Sequence, residues 1–358
     1  MLWFVGLGIN GYRGLSLAGI DVLKKCEVVY AERYTGALYK EDLEGLLSIL
    51  GSKVTAVERW FVEDGREILE MARSKDVALV TYGDPLVATT HAELRTRAAR
   101  NSIKTSVLHA ASGITSAIGE TGLHAYKFGR IITMMSDSRS AISVYNVVYD
   151  NLLAGNHSLI LTEYRYDGAN DPYFLSPAQV FKMLAEAEAD QKFEAFSDLT
   201  FAIVASRAGT ESQALVSGSV ASLLQVEFGQ GPHSVIIPGA LHFTEAEAVA
   251  SLSRNLDPPM DNSRNIKRIS TQMVERYAPR AKQAVQQMRE IMRAETNKET
   301  VSKETFDVLE NADSYISDAE RFLNQGKFEL AVLSIGYAEG LIDSLRFLRG
   351  MNPWDAPS

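Results

Sequence analysis

Short apolar runs separated by amphipathic stretches dominate the first 110 residues. Leu2–Val5, Val28–Ala31, Val54–Val57 and Val77–Val80 are almost wholly apolar, the pattern of strands buried on both faces of a sheet. Between them, Ser16–Lys25, Leu43–Leu50 and Arg66–Ser74 space apolar residues three and four apart, which predicts helices. Ala92–Arg100 reads as a further helix and Ser106–His109 as a fifth strand. Strand and helix in alternation predict a parallel sheet with crossover helices.

Beyond Arg130 the strands come closer together. Ile131–Met135, Ser158–Thr162, Thr200–Ser206, Gln213–Ser217 and His233–Pro238 read as strands. Ala141–Leu153, Pro177–Ala189, Val220–Gln225 and His242–Ser253 read as helices among them. This density predicts hairpins and a mixed sheet in a second α/β domain. Asp257-Pro258-Pro259 breaks the pattern. After it Ile266, Met273, Tyr277, Ala281, Val285, Met288 and Met292 keep a helical spacing. Ser302 is a candidate cap for a second helix carrying Phe306, Leu309, Ile316 and Leu323, with Gly326 as its stop. A third runs from Phe328 to Leu348 and ends at Gly350. The expected organisation is two α/β domains, 1–110 and 111–255, followed by an all-α bundle over 261–358.

Composition narrows the class. Hydrophobic residues make up 46% and charged residues 23% of the 358, ordinary for a globular chain. The net charge of −9 argues against a nucleic-acid backbone as a direct partner, because phosphate neutralisation needs a basic surface. The acidic excess lies in the first 260 residues; the remainder is near neutral. Cys26 is the only cysteine, so no intramolecular disulfide and no cysteine-rich metal site can form. That fits a reducing cytosol, and a cytoplasmic location is expected. Met1–Val5 is too short for a signal peptide and no run of eighteen apolar residues occurs, so no membrane association is expected. His91, His109, His124, His157, His233 and His242 include no pair at a metal-ligand spacing on one helix. No metal is expected.

The chemistry concentrates at strand ends. The strand at 77–81 stops at Tyr82-Gly83-Asp84-Pro85. There Gly83 can take positive φ, Asp84 can accept backbone hydrogen bonds and Pro85 forbids continued pairing. The hydroxyls of Thr89 and Thr90 are candidate caps for the helix that follows. Open α/β sheets bind small molecules at this carboxyl edge. The first strand ends in Gly6-x-Gly8-x-x-Gly11. That spacing admits three readings: a dinucleotide site, a tight strand-to-helix turn, or a close approach to another adenosine-bearing ligand. Glu120 and Asp84 are candidate acid/base groups, but nothing in the sequence pairs them, and no nucleophile elbow is present.

The run Gly83-Asp84-Pro85-Leu86-Val87-Ala88-Thr89-Thr90-His91-Ala92-Glu93-Leu94 closely resembles the diphthine synthases. These are S-adenosylmethionine-dependent methyltransferases of the tetrapyrrole methylase superfamily, found in archaea and eukaryotes. Matching stretches follow in order: Phe4-Val5-Gly6-Leu7-Gly8, Tyr30-Ala31-Glu32 with Tyr34-Thr35, Thr121-Gly122-Leu123-His124, and Tyr126-Lys127-Phe128-Gly129. Arg207-Ala208-Gly209, Pro232-His233, Pro238-Gly239 and Leu241-His242 complete the set. The likeness covers roughly residues 1–255.

The resemblance implies that S-adenosylmethionine lies between the two α/β domains. By motif position it implies contacts from Ile9, Asp84, Val87, Ser112 with Gly113 or Ile114, Leu161, Ala208 and His233. The choice at Gly113 arises because His109–Ala117 is one residue longer than the usual archaeal pattern. The implied substrate is a modified histidine of translation elongation factor 2, methylated on the amine of its 3-amino-3-carboxypropyl arm, three times in archaeal members. A homodimer is also implied. Such a reaction needs aligned reactants more than a catalytic triad, and no catalytic residue is assigned; Asp84 is expected to hold the cofactor. Arg59 and Glu63 match the family pattern and are candidates to face the substrate. Two rivals remain: a related methylase acting on a corrin precursor or ribosomal RNA, and a non-catalytic S-adenosylmethionine-binding scaffold. Residues 261–358 lie outside the resemblance. With their own core pattern and no catalytic residues, they are expected to form an interaction module.

Overall fold

The computed structural model describes residues 1–36, 38–166, 172–296 and 303–352. The chain forms two compact units, Met1–Ile266 and Lys267–Ser358.

The first unit opens with β1 (Leu2–Gly6), α1 (Leu17–Lys25), β2 (Val28–Glu32), α2 (Lys40–Leu50) and β3 (Val54–Val57). It continues with α3 (Arg59–Asp64), α4 (Arg66–Ser74), β4 (Val77–Thr81), α5 (His91–Arg100) and β5 (Thr105–Leu108). The five strands form a parallel sheet in the order β3-β2-β4-β1-β5. Period-two alternation sorts their side chains onto two cores. Val5, Val29, Ala31, Ala78 and Val80 pack with Leu23 and Leu46 of α1 and α2. Leu2, Phe4, Tyr30, Val77 and Leu79 pack with Val62, Ile68, Leu94 and Ala98 of α3, α4 and α5. Both faces being buried is why these strands read as continuous apolar runs. α1 is closed at each end by side chains: Ser16 Oγ accepts from Gly19 N at 3.0 Å, and Lys53 Nζ donates to the carbonyls of Leu23, Lys24 and Cys26.

The chain then passes through α6 (Gly113–Thr121), β6 (Ile132–Met134), α7 (Ser138–Leu153), β7 (Ser158–Thr162), β8 (Tyr164–Arg165), β9 (Tyr173–Phe174) and α8 (Pro177–Gln191). β10 (Phe201–Ser206), β11 (Ala214–Ser219), α9 (Val220–Leu223), β12 (His233–Ile237), α10 (Phe243–Leu252) and β13 (Arg254–Asn255) follow. A mixed sheet runs β13-β11-β10-β12-β7-β6, antiparallel through its centre and parallel at both edges. β8 and β9 make a separate two-stranded ribbon. The segment after β13 returns to this sheet. Asn262 Oδ1 accepts from Phe201 N at 2.9 Å, its Nδ2 donates to Phe201 O and Pro238 O at 2.8 Å each, and Ile266 packs on the sheet's core. Ile266, expected as the first core position of the bundle, therefore belongs to the first unit.

The second unit is α11 (Ile269–Thr296), α12 (Lys303–Asn324) and α13 (Phe328–Phe347). Val285, Met288, Met292, Leu309, Ile316, Ile335 and Ile342 share one buried core, so the apolar stripes of all three helices face each other. Ser302, the expected cap of α12, lies outside the described residues. No helix among the described residues is long and apolar enough to cross a membrane.

Candidate functional site

β1 and β4 are neighbours in register, so their exits lie side by side. Gly8 (φ +69°) and Gly83 (φ +77°) exchange hydrogen bonds: Gly8 N donates to Gly83 O at 3.1 Å, and Gly83 N to Gly8 O at 2.8 Å. Gly6 stands where no side chain fits, since a Cβ would lie 2.6 Å from Gly83 O and 2.7 Å from Ala110 Cβ. A Cβ on Gly83 or on Gly113, by contrast, would meet nothing within 4 Å, so both face open space.

Asp84 is buried and ties three segments together. Its Oδ1 accepts from Leu86 N at 2.9 Å; its Oδ2 accepts from His109 Nδ1 at 2.8 Å and from Ala110 N at 3.2 Å. Burial pushes its carboxyl up, but the Leu86 N–H, the His109 ring and the Ala110 N–H outweigh it and hold the group below the usual range. Val87, next along, is partly exposed, and Ala88 follows at φ +55°. The expected hydroxyl caps do not form. Thr89 Oγ1 donates back to Pro85 O at 2.7 Å, and Thr90, at the N-cap of α5, makes no capping bond. The buried His91 is held instead: its Nδ1–H donates to Pro85 O at 3.0 Å, leaving Nε2 to accept from the Tyr34 hydroxyl at 3.1 Å. Burial lowers its pKa, so the ring is neutral. Ser112 caps α6, accepting from Ile114 N at 3.1 Å.

In the second sheet β7 and β10 end where β12 begins. Leu161 pairs with Ser234, and Ser206 with His233. The buried His233 ring takes a hydrogen bond with Ser206 Oγ at 2.8 Å, and its carbonyl accepts from Thr162 Oγ1 at 2.9 Å. Burial, reinforced by Arg207, lowers its pKa to about 4, so it too is neutral at pH 7. The turn Arg207-Ala208-Gly209 follows, with Gly209 at φ +77°. A Cβ on Gly209 would overlap the Ile9 side chain and come within 3.3 Å of Ser116 Cβ. This contact joins the two sheets. It sets Ile9, α6 with Ser112 and Gly113, and Ala208 at one junction, with Asp84 and Val87 on the neighbouring turn. Leu161 and His233 lie on the same edge of the second sheet as Ala208.

Other candidates are engaged elsewhere. Glu120 accepts from Gln213 Nε2 at 2.7 Å, and Gln213 Oε1 accepts from Gly209 N, so this pair braces the turn. Arg59 and Glu63 form an exposed i,i+4 pair at 2.7 Å.

Two features escaped the sequence reading. Glu32, at the end of β2, is 1% exposed. Its Oε2 accepts from Tyr34 N at 2.8 Å and Thr35 N at 2.9 Å, while its Oε1 has no partner. Burial pushes its pKa up to about 7. Its signals were a glutamate closing an otherwise apolar strand and its place in the matching stretch Tyr30-Ala31-Glu32, neither of which gave it a role. The second is Glu245 of α10. It is fully buried and accepts from His124 N, His242 N, His157 Nε2 and Lys127 Nζ. Its signal was a capping box with His242.

The fold class is given by the Tetrapyrrole (Corrin/Porphyrin) Methylases, whose family profile matches residues 1–224. A second profile, described as a protein of unknown function (DUF357), matches residues 276–351. The diphthine synthase of Methanothermobacter thermautotrophicus is 36% identical over 255 residues, 71% of this chain and 96% of that protein. That of Methanocaldococcus jannaschii is 36% identical over 259 residues, 72% of this chain and all of that protein. A crystal structure of diphthine synthase superposes with a TM-score of 0.62 at 27% identity, over 71% of this chain and 96% of its own. The chain belongs to the diphthine synthase family of tetrapyrrole methylases.

Proposed function

We propose that this protein transfers methyl groups from S-adenosylmethionine to the amine of a 3-amino-3-carboxypropyl-histidine on translation elongation factor 2, three additions giving diphthine. The observation that carries this reading is the 36% identity to proteins named diphthine synthase across 96% of their length. The geometry at the strand exits supports it. Gly83 and Gly113 face open space beside the Gly8–Gly83 turns, and a small ligand can approach the backbone there. Ile9, Asp84, Val87, Ser112, Gly113, Leu161, Ala208 and His233 are the residues proposed to hold the cofactor. When bound, it supplies a methyl group on a positively charged sulfur, already activated toward an amine.

The chain's own contribution is mostly placement. Asp84 has both oxygens occupied by protein donors, so it fixes the turn rather than moving a proton. His91 and His233 are buried and neutral; His91 fastens the Pro85 turn and His233 is one of the proposed contacts. Holding donor and acceptor in line can supply ~7–11 kcal/mol of the barrier. On this reading the protein works in the cytoplasm, as a homodimer, on a protein partner. The test incubates the pure protein with methyl-labelled S-adenosylmethionine and elongation factor 2 bearing the unmethylated arm. Label on the elongation factor is expected. An unlabelled factor, with label on a corrin precursor or ribosomal RNA, would overturn the assignment.

A further inference from the structure

We propose that Glu32 takes the proton from the substrate's ammonium group before each methyl transfer, its unpartnered Oε1 being the acceptor. The inference rests on the methyl-transfer reading above. The nucleophile of that reaction is an amine that is protonated in water, and an ammonium has no lone pair with which to attack. Some group must therefore accept the proton inside the site.

Glu32 is built for this and its rivals are not. Two backbone N–H groups fasten Oε2, so the carboxyl is held in one orientation. Oε1 is left buried and empty. A buried acceptor without a donor is costly, and such groups are rare where they serve structure alone. Three other carboxylates near the strand exits are engaged, and Glu58, at the exit of β3, lies 3.9 Å from the Arg33 guanidinium. Asp84 has both oxygens engaged, Glu120 is bound to Gln213, and Glu163 is bound to Ser136 and lies 3.2 Å from Arg165 Nε.

Its surroundings place it where the first sheet meets the β8–β9 ribbon, next to the proposed cofactor turn. β2 lies beside β4. The loop after Glu32 folds against Tyr82, whose ring lies 2.8 Å from where a Gly36 Cβ would stand and whose hydroxyl donates to Ile9 O. From the β8–β9 ribbon Tyr164 donates its hydroxyl to Arg33 O at 3.2 Å. Arg33 itself lies over the Tyr166 ring at 4.3 Å and 3.9 Å from Glu58. The charged and titratable groups facing Glu32 are thus Arg33 and Tyr34 on its own loop, Glu58 beyond β3 and Tyr164 beyond β7. Among the described residues no cation is bonded to Glu32. Burial outweighs the Thr35 and Tyr34 N–H groups and the Thr35 hydroxyl, and with the like charge of Glu58 brings the carboxyl near neutrality, where a base is half-available and still strong enough to accept.

The step balances. An ammonium proton passes to Oε1, leaving a neutral amine and a neutral carboxylic acid. The nitrogen lone pair then forms a bond to the methyl carbon as the carbon–sulfur bond breaks, and that electron pair stays on sulfur as a thioether. Glu32 returns its proton to solvent before the next round. The third product is quaternary and carries no proton, so the cycle ends there.

The test compares the full chain with its Glu32→Gln and Glu32→Asp variants. Gln keeps an acceptor for Tyr34 N and Thr35 N but cannot take a proton. For E32Q, single-turnover methyl transfer is expected to fall roughly 100-fold or more, and the rise in rate through about pH 7 expected of the full chain should be absent. S-adenosylmethionine affinity by calorimetry should stay within about twofold, since the group faces the amine. The melting temperature at pH 8 should rise, because a buried charge is gone. E32D should keep part of the rate and the pH limb. An E32Q rate close to that of the full chain, or a retained pH limb, would overturn the proposal. So would joint loss of stability and cofactor affinity, which marks a merely structural carboxyl. If the unaltered chain labels elongation factor 2 and E32Q labels it equally, the Glu32 role alone fails. If the unaltered chain does not label it, the methyl-transfer reading fails first.

Discussion

Removal of Glu245 should unfasten the second sheet from the inside. Its carboxylate accepts from His124 N at 2.8 Å, His242 N at 2.9 Å, His157 Nε2 at 2.9 Å and the Lys127 ammonium, and no part of it reaches solvent. His157 is fixed by this arrangement. Gly239 N donates to its Nδ1 at 3.0 Å, so Nε2 carries the proton given to Glu245. Burial works against the charge, but the Lys127 ammonium and the three N–H donors win and hold the carboxyl down at about 2. Glu245→Ala leaves Lys127 and His157 without their anion and should cost ~3–5 kcal/mol at pH 7. The pH dependence has a definite sign. A carboxyl at about 2 when folded, against an ordinary 4.5, adds stability that is complete above pH 4.5 and lost as pH falls toward 2. At ~1.36 kcal/mol per pKa unit the amount is ~3 kcal/mol. Urea unfolding, followed by the fluorescence of Trp3 and Trp60 in the first unit, measures both. A loss under about 1 kcal/mol at pH 7, or a gap between variant and parent that stays constant from pH 5 to 2.5, would refute this account.

Three further outcomes follow from the geometry. Gly6→Ala pushes a methyl into Gly83 O and Ala110, and should cost ~1–3 kcal/mol and weaken S-adenosylmethionine binding by calorimetry; unchanged affinity would disconnect this junction from the cofactor. Asp84→Asn presents an amide to donors that need a carboxylate; stability should fall by ~1.5–3 kcal/mol in urea titration at pH 7, and the deficit should shrink as pH drops below the ordinary carboxylate range, where the parent's own advantage disappears. A chain ending at Ile266 should keep its fold and kcat, while its KM for elongation factor 2 rises roughly tenfold, worth ~1.4 kcal/mol; an unchanged KM would remove substrate docking from the roles of the bundle.

Much of the fold was legible because burial on two faces leaves a distinctive trace. β1 to β4 show as apolar runs, and each is ended by a turn residue or a polar cluster. The bundle was legible from periodicity alone, since three helices of 20 to 28 residues give many repeats of the stripe. α3 was missed: six residues are too few for periodicity to register, and its stop at Gly65 (φ +61°) looked like loop. β8, β9 and β13 are two residues each and have no pattern to read. At the site, turn chemistry pointed to Gly83, Asp84 and Gly8, because glycine and aspartate at strand ends have few other uses. The convergence of His124, Lys127, His157 and His242 on Glu245 was not legible, as contacts spanning up to 121 residues leave no mark in local spacing. Glu32 was hidden for another reason. A glutamate after an apolar strand has no local mark of burial, and only the packing reveals that one of its oxygens is buried without a hydrogen-bond partner.

The paired turns at Gly8 and Gly83 bear on how a ligand arrives. Each turn is closed by the other's backbone, so neither can swing without breaking two bonds. A ligand docking here meets a surface already frozen and need not arrest two mobile loops, which otherwise takes a large share of binding free energy. Association should then be limited by diffusion and desolvation, with little loss of loop entropy. If the cofactor binds at the proposed site, a slow phase in its binding is expected from the Arg207–Gly209 side, where Gly209 meets the tip of the Ile9 side chain.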